Sequence, residues 1–205
     1  TPLAIGSALF LTQMAPRRAR SIMTRGVELL AGVPSIVLGW LGFTVMVPWI
    51  RAATGSTGTG ILAASIILAI MVLPTITAIS KDALEAVPET YLQASLALGA
   101  TRWQTIRRIL LPAAKPGLLV AVILGMGRAI GETMAVALVI GPASAFPTSL
   151  TSPTHTMTTK ILIEMGESTG VQRSALFAMG LVLLLLAMLL ILLVRLVSRS
   201  KEGAR

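Results

Sequence analysis

Two charged side chains lie inside an otherwise apolar segment of the chain. Arg128 and Glu132 belong to residues 117–140, GLLVAVILGMGRAIGETMAVALVI. A spacing of four residues places them on one helix face, where a guanidinium and a carboxylate can pair. Arginine offers planar N–H donors that suit an oxyanion such as phosphate. Since a charge inside a membrane span is costly, the pair indicates either an anion site that the glutamate moderates or an ion pair that only fixes helix packing.

The longest polar interval between two apolar segments, residues 82–116, has the residue pattern of two short helices joined by a turn. Pro88 suits the first position of a helix, and Gly99 suits the left-handed residue that ends one. Thr101 and Gln104 have the spacing of a capping box, which predicts a second helix running to Pro112. Two functions fit this pattern: a helix-turn-helix that enters a DNA groove, and a membrane-protein loop that docks on another protein.

The composition favours a membrane protein. Of the 205 residues, 55% are hydrophobic and only 12% are charged, and the mean hydropathy is +0.86. A soluble protein of this composition would expose too much apolar surface. With no cysteine and one histidine, His155, we expect no zinc centre or thiol nucleophile. No Gly-x4-Gly-Lys-Ser/Thr loop occurs, so we expect no ATP binding by this chain, and we predict no cofactor.

The predicted fold is all-α: one polytopic membrane bundle over residues 1–205, with four full spans and one truncated span. Each full span is long enough to cross about 30 Å of hydrocarbon at about 1.5 Å per residue. The full spans are expected at residues 27–50, 61–80, 117–140 and 176–197. Residues 1–14 are too short to cross alone, and we interpret them as the end of a span. A flexible loop is expected at residues 54–60, TGSTGTG.

The positions of the basic residues test this threading. Alternating spans place residues 15–26, residues 82–116 and the C-terminal end on one side of the membrane. The basic residues of that side are Arg17, Arg18, Arg20, Arg25, Lys81, Arg102, Arg107, Arg108, Lys115, Arg195, Arg199, Lys201 and Arg205. The other side has only Arg51, Lys160 and Arg173. By the positive-inside rule, the loop 82–116 and the C-terminus are cytoplasmic and the loop 141–175 is external.

This sidedness explains the net charge of +9 without nucleic acid. A recognition helix tethered at both ends within a few residues of a bilayer is also poorly placed to approach a duplex. The docking interpretation of residues 82–116 is therefore favoured over DNA binding.

The same loop matches a known sequence pattern. Its spacing resembles the EAA loop of ABC-importer permeases, EAA-x3-G-x9-I-x-LP, although Gln93 replaces the glutamate and Ser95 the second alanine. The resemblance implies that this loop docks into a cleft of an ATP-hydrolysing subunit. The coupling residues that it implies are Glu89, Gln93, Ala94, Ser95, Gly99, Ile109 and Pro112.

Three segments resemble the C-type membrane permease of the high-affinity phosphate ABC importers. They are LAGVPSIVLGWLG at 31–43, MVLPTITAISKDALEAVP at 71–88 and GRAIGETMAV at 127–136. The similarity runs from the first residue to about Val139, and loosely through the last helix. It implies a type I ABC-importer permease fold in which Arg128, Glu132 and Thr133 line the phosphate pathway.

The resemblance implies a transport subunit of the inner membrane and not an enzyme. The partners that it implies are a second homologous permease, an ATPase subunit dimer, an external phosphate-binding protein, phosphate and the lipid bilayer, with no nucleic acid. Two alternatives stay open: a permease for sulfate or molybdate, and a membrane sensor or scaffold that does not transport.

The loop 141–175 carries other polar residues with weaker signals. His155 is expected to be solvated, and Glu164 and Glu167 to lie on the solvated face of a short helix. The Thr/Ser cluster at 148–159 fits either a contact with an external binding protein or a plain polar loop.

Overall fold

The computed structural model describes residues 1–143 and 146–199, and these residues form helices and loops with no strand. The expected all-α fold is confirmed. The helices are α1 (Pro2–Gln13), α2 (Arg17–Gly32), α3 (Ser35–Thr54), α4 (Ile61–Glu85), α5 (Glu89–Ala97), α6 (Arg102–Gly131), α7 (Met134–Ile140), α8 (Met157–Glu164) and α9 (Gly170–Arg199).

Four of these helices, α3, α4, α6 and α9, are long and apolar enough to cross a membrane. The number agrees with the four predicted spans. None of the most apolar window of α9 is buried in this chain, so its surface is left for lipid or another protein. The basic residues Lys201 and Arg205 of the C-terminal end lie outside the described residues.

The residues of the predicted span 27–50 are divided between α2 and α3. Pro34 precedes α3 with φ −57° and ψ 135°, which is outside the helical region. A proline also disfavours the helical conformation of the residue before it, here Val33. α2 therefore ends at Gly32, and the membrane span begins at Ser35.

Two membrane helices contain a wide π-helical turn that ends two residues before a proline. The turns are Gly42–Met46, before Pro48, and Ile106–Leu110, before Pro112. A proline has no amide hydrogen, and its ring clashes with the carbonyl four residues earlier, so a wider turn at this point lets the helix continue. The predicted helix end at Pro112 is wrong, because α6 runs on to Gly131.

The described chain forms two compact units. The first comprises Thr1–Ala31, Leu73–Met126 and the chain from Leu190, and the second comprises Gly32–Val72 and Gly127–Leu189. The first core contains Ala8, Leu84, Ile106, Leu110, Ala114 and Leu118. The second core contains Val47, Ile50, Ile67, Met71, Val136 and Val139. The hairpin of α5 and α6 belongs to the first unit, and the segment from Gly127 to the start of α8 belongs to the second.

Within the second unit, α3 packs closely against α7. A Cβ atom added to Gly39 would lie 2.6 Å from the Cα of Ala135, and one added to Gly42 would lie 2.6 Å from Cδ1 of Ile67. At Gly39 the neighbouring atom belongs to the backbone, so glycine permits a helix approach there that a side chain would prevent.

Backbone hydrogen bonds of the second unit join Gly60 to the end of α7 and the start of α4 to the loop at Leu150. The Gly60 amide donates to the Val139 carbonyl at 3.1 Å, and the Leu62 amide donates to the Leu150 carbonyl at 2.7 Å. Gly60 has φ +143°, and an added Cβ would lie 2.7 Å from the carbonyl oxygen of Ser152. The glycine-rich segment, which is predicted to be flexible, is thus held at its C-terminal end.

Candidate functional site

The predicted coupling loop is a helical hairpin made by α5 and the start of α6. α5 starts at Glu89, and Pro88 occupies the N-cap rather than the first helical position. Gly99 has φ +81°. The Gln104 amide donates to Thr101 Oγ1 at 3.3 Å, and the Thr101 amide donates to Gln104 Oε1 at 2.9 Å. The predicted left-handed glycine and the predicted capping box are both confirmed.

A hydroxyl pair joins the two helices of this hairpin. Ser95 Oγ and Thr105 Oγ1 lie 2.9 Å apart, and Thr105 is buried. The serine that departs from the EAA pattern therefore fastens α5 to α6, whereas an alanine at this position would leave Thr105 without this contact. Thr105 could not be singled out from the sequence, because nothing in the spacing marks a pair ten residues apart.

The outer surface of α5 is open. Glu89, Gln93 and Ala94 are exposed, and no residue of α5 is buried. In α6, Ile109 is half-buried and Pro112 is exposed. The hairpin thus has an inner side, joined by hydroxyl and backbone contacts, and an outer side that a partner can reach.

An ion network lies next to the hairpin. Arg20 of α2 donates to the carboxylate of Glu85, the last residue of α4, and Lys81 Nζ lies 3.3 Å from the same carboxylate. Arg20 and Glu85 also help to line an open groove of about 450 Å³ with Glu89 and Gln93. The network depends on the acidic Glu85, to which no local pattern in the sequence assigns a role.

The predicted pathway residues lie where α6 ends. α6 ends at Gly131 and α7 starts at Met134, so the helix predicted over residues 117–140 is interrupted at Glu132 and Thr133. Arg128 is in the last turn of α6. Arg128, Glu132 and Thr133 are all half-buried. The segment that places a charge pair in an apolar span is therefore a helix break, and not a continuous helix face.

Glu132 holds this break together. Its Oε1 atom accepts a hydrogen bond from the Ala135 amide at 3.3 Å, in the first turn of α7. Its carbonyl accepts one from Thr158 Oγ1 of α8 at 3.4 Å, and Thr133 Oγ1 donates to the Gly131 carbonyl at 3.3 Å. One member of the Thr/Ser cluster at 148–159 thus contacts the segment that is predicted to line the pathway, a contact that no local spacing could predict.

α8 is a short helix outside the four candidate spans. Thr156 and Thr159 form a capping box at its start. Glu164 accepts from Lys160 Nζ at 2.8 Å and from Gln172 Nε2 at 3.3 Å. The Lys160 hydrogen bond, followed by that of Gln172, lowers the pKa of Glu164 below its usual value. Glu164 is half-buried and pairs with Lys160 one turn earlier on the same helix, so its position on a solvated face stays a prediction.

Two further residues of the loop 141–175 differ in exposure. Glu167 is exposed, as expected, but His155 is half-buried, and its Nδ1 atom is buried without a hydrogen-bond partner among the described residues. The expectation of a solvated histidine is therefore wrong. Over the described residues, no group of three or more His, Cys, Asp or Glu side chains is placed to hold a metal ion.

Comparison with protein families finds one match that covers the chain almost completely. The family described as "Binding-protein-dependent transport system inner membrane component" matches residues 1–203.

Similar proteins are named as transporter permeases. The probable ABC transporter permease protein YqgH of Bacillus subtilis (strain 168) is 47% identical over 204 residues, covering 98% of this chain and 66% of that protein. The phosphate transport system permease protein PstC of Mesorhizobium japonicum is 38% identical, covering 95% of this chain and 66% of that protein. The protein of the same name from Pasteurella multocida is 34% identical, covering 100% of this chain and 71% of that protein. The chain spans about two thirds of the length of these relatives.

Solved structures share the fold at low sequence identity. The MetNI methionine ABC transporter in an inward-facing conformation aligns with a TM-score of 0.70 at 22% identity, covering 96% of this chain and 86% of that chain. A bacterial ABC transporter involved in the import of alginate aligns with a TM-score of 0.68 at 18% identity. The alignment covers 97% of this chain and 72% of that chain. The predicted type I ABC-importer permease fold is confirmed.

Proposed function

Because the chain belongs to the family of binding-protein-dependent transport system inner membrane components, matched over residues 1–203, we propose that it is a permease subunit of an ATP-binding-cassette importer for inorganic phosphate. One observation carries the choice of cargo: proteins named phosphate permeases are 38% and 34% identical to this chain over nearly all of its length. ATP hydrolysis then belongs to a separate subunit, and this chain supplies the membrane pathway.

In this proposal the hairpin and the C-terminal end face the cytoplasm, and the loop 141–175 with α8 faces outward. The exposed cations Arg102, Arg107 and Arg108 near the hairpin support this orientation, since basic residues concentrate on the cytoplasmic side of a membrane protein. The external loop would then face a phosphate-binding protein.

The proposed pathway passes the break between α6 and α7. Arg128 supplies planar N–H donors for a phosphate oxygen. Glu132 places a negative charge near the same point, so phosphate is attracted but not held too tightly to leave. Thr133 adds a hydroxyl beside the break. The contact of Thr158 with the Glu132 carbonyl supports a pathway segment that α8 helps to hold in position.

The proposed coupling element is α5. A second homologous permease, two copies of the ATPase subunit and the external binding protein complete the importer. ATP binding closes the ATPase dimer and moves the docking helix at 89–99, and the pathway opens outward. Gln93 lacks the charge of the EAA glutamate, but Glu89 lies four residues earlier, one helical turn away, and is exposed. It supplies a carboxylate close to the same face.

Phosphate uptake by proteoliposomes that contain the complete importer tests the pathway. Arg128→Ala is expected to lower uptake by about tenfold to a hundredfold, because it removes a charged donor worth about 1.5–3 kcal/mol. Glu132→Ala is also expected to lower uptake, because phosphate is then held too tightly to leave and the Ala135 amide loses its acceptor. Arg173→Ala, at an exposed arginine in the first turn of α9, is the matched control and should leave uptake unchanged.

Two results would contradict this proposal. Normal uptake by the double variant R128A/E132A would remove both residues from the pathway. ATP-dependent uptake of sulfate or molybdate but not of phosphate would replace the cargo while leaving the permease assignment in place.

A further inference from the structure

α2 has two chemically different faces, and no residue of α2 is buried. At about 100° per residue, its four arginines lie on one half of the helix and its large aliphatic residues on the other. Of the apolar half, Ile22 is 71% exposed and Leu29 is 75% exposed. An apolar face of this kind in contact with water would be unfavourable, so another surface must cover it.

The connections of α2 hold it at the level of the membrane surface. Its last residue, Gly32, is three positions before Ser35, where the span α3 begins. Near its other end, Arg20 pairs with Glu85, the last residue of the span α4. Both ends of α2 are therefore tied to the ends of membrane spans, on the side where basic residues concentrate.

The order of residues around the helix identifies the chemistry of the covering surface. Arg18 and Arg25 lie about 20° and 40° from Leu29 around the helix axis, at the border of the apolar face. Arginines at such a border extend their guanidinium groups toward headgroups while their stems cover apolar surface. A helix with a basic face on one side and an apolar face on the other typically lies in the membrane interface.

We propose that α2 lies along the cytoplasmic surface of the membrane and binds anionic phospholipid headgroups. Arg17, Arg18 and Arg25 are exposed and supply charged, bidentate donors for the headgroup phosphates. The apolar face of α2 contacts the upper acyl chains. Arg20 has a different task, because it joins α2 to Glu85.

This arrangement links the lipid to the coupling hairpin. Glu85 is four residues before Glu89, where α5 begins. Anionic lipid that fixes α2 therefore also steadies the base of the hairpin through the Arg20–Glu85 pair. This link to coupling rests on the proposed function, whereas the lipid binding does not.

Native mass spectrometry of the complete importer, purified in detergent through this chain, tests the lipid site. Dioleoylphosphatidylglycerol and dioleoylphosphatidylcholine are titrated separately. Wild type should retain phosphatidylglycerol in preference to phosphatidylcholine. The double variant R18Q/R25Q should bind phosphatidylglycerol about 25-fold more weakly, about fivefold for each arginine. R18K/R25K, which keeps both charges, should retain most of the binding, and R173Q should bind as wild type does.

Three results would overturn the proposal. Equal retention of phosphatidylglycerol by wild type and R18Q/R25Q would remove the arginines from lipid binding. Displacement of the lipid by millimolar inorganic phosphate would assign the site to a soluble anion. Loss of the ATPase subunit from R18Q/R25Q with unchanged lipid retention would make α2 a protein contact.

A further variant separates this inference from the proposed function. R128A/E132A should fail in phosphate uptake but retain phosphatidylglycerol as wild type does. If it transports normally and also binds the lipid, the pathway proposal fails and the lipid site stands.

Discussion

Substitution of Gly99 isolates the contribution of one backbone conformation to coupling. Gly99 has φ +81°, and an added Cβ atom would meet nothing within 4 Å. A side chain here therefore causes left-handed backbone strain without a steric clash. That strain is about 1–2 kcal/mol for alanine and smaller for asparagine, which adopts the left-handed conformation more readily. A β-branched valine should be the least tolerated.

The strain should open the hairpin locally and leave the rest of the fold intact. α5 has no buried residue, and the contacts that oppose its separation from α6 include the Ser95–Thr105 hydroxyl pair and the half-buried Leu92. Segments of this kind open with free energies well below that of global unfolding. A cost of about 1–2 kcal/mol then raises the open population about 5-fold to 30-fold.

Hydrogen exchange of peptides that cover residues 89–104, measured on the complete importer in detergent, reads out this opening. We expect the exchange rate to rise in the order Gly, Asn, Ala, Val at position 99. The amount of ATPase subunit that co-purifies with the permease should fall in the same order. Gly6→Ala is the control, because Gly6 is an exposed glycine in a helix with open space around it.

Two observations would refute this reasoning. Unchanged exchange in G99A, or faster exchange in G99N than in G99A, would show that left-handed geometry is not the constraint at this position. Normal ATPase co-purification with an open hairpin would show that the hairpin caps the helices without docking.

The remaining predictions concern three separate contacts. Gly39→Ala should lower thermal stability in detergent by about 1–3 kcal/mol, because its Cβ would lie 2.6 Å from Ala135 Cα. Thr101→Ala removes a cap worth about 1 kcal/mol and should speed hydrogen exchange at the start of α6. The pKa of Glu164 lies below its usual 4.5 because Lys160 and Gln172 donate to it. The ionised Glu164 carboxylate stabilises α8 at pH values above its usual pKa. This stabilisation should disappear as the pH falls through the lowered pKa, and the hydrogen-exchange protection of α8 should fall with it.

Each of these predictions has its own control. Gly6→Ala should not lower thermal stability. An equal loss of stability in Gly6→Ala and Gly39→Ala would contradict the packing argument. Thr101→Ser keeps a hydroxyl and should behave as wild type. Glu164→Gln has no carboxyl group to titrate, so the protection of α8 relative to the intrinsic exchange rate should not fall with acid in this variant. An identical acid response in both proteins would assign the effect to another group.

Local features of the hairpin could be predicted from the sequence, because each depends on a few neighbouring residues. The left-handed Gly99 and the Thr101–Gln104 capping box are of this kind. The contact of Ser95 with Thr105 and that of Arg20 with Glu85 are not, since they join residues 10 and 65 positions apart. Such contacts depend on how helices pack, which one sequence does not specify.

The prolines illustrate a different limit. Pro34 does mark a helix boundary, whereas Pro112 lies inside α6. Both have the same local effect, the loss of an amide and a clash with an earlier carbonyl. At Pro112 a π-helical turn over Ile106–Leu110 precedes the proline, and the helix continues. Sequence alone did not distinguish a proline that ends a helix from one that a helix accommodates.

The hydrogen-bonded loops of the second unit have a practical consequence for labelling the protein. An epitope or protease site inserted near Gly60 would separate its amide from the Val139 carbonyl and displace Gly60 from Ser152. The turn after α8 is closed by short-range contacts, those of the Ser168 amide and the Gln172 side chain with Glu164, whereas Gly166 itself is exposed and an added Cβ there meets nothing within 4 Å. Composition alone would direct an engineer to the glycine-rich segment, yet the turn at residue 166 is the better insertion site for a tag that reports on which side of the membrane it lies.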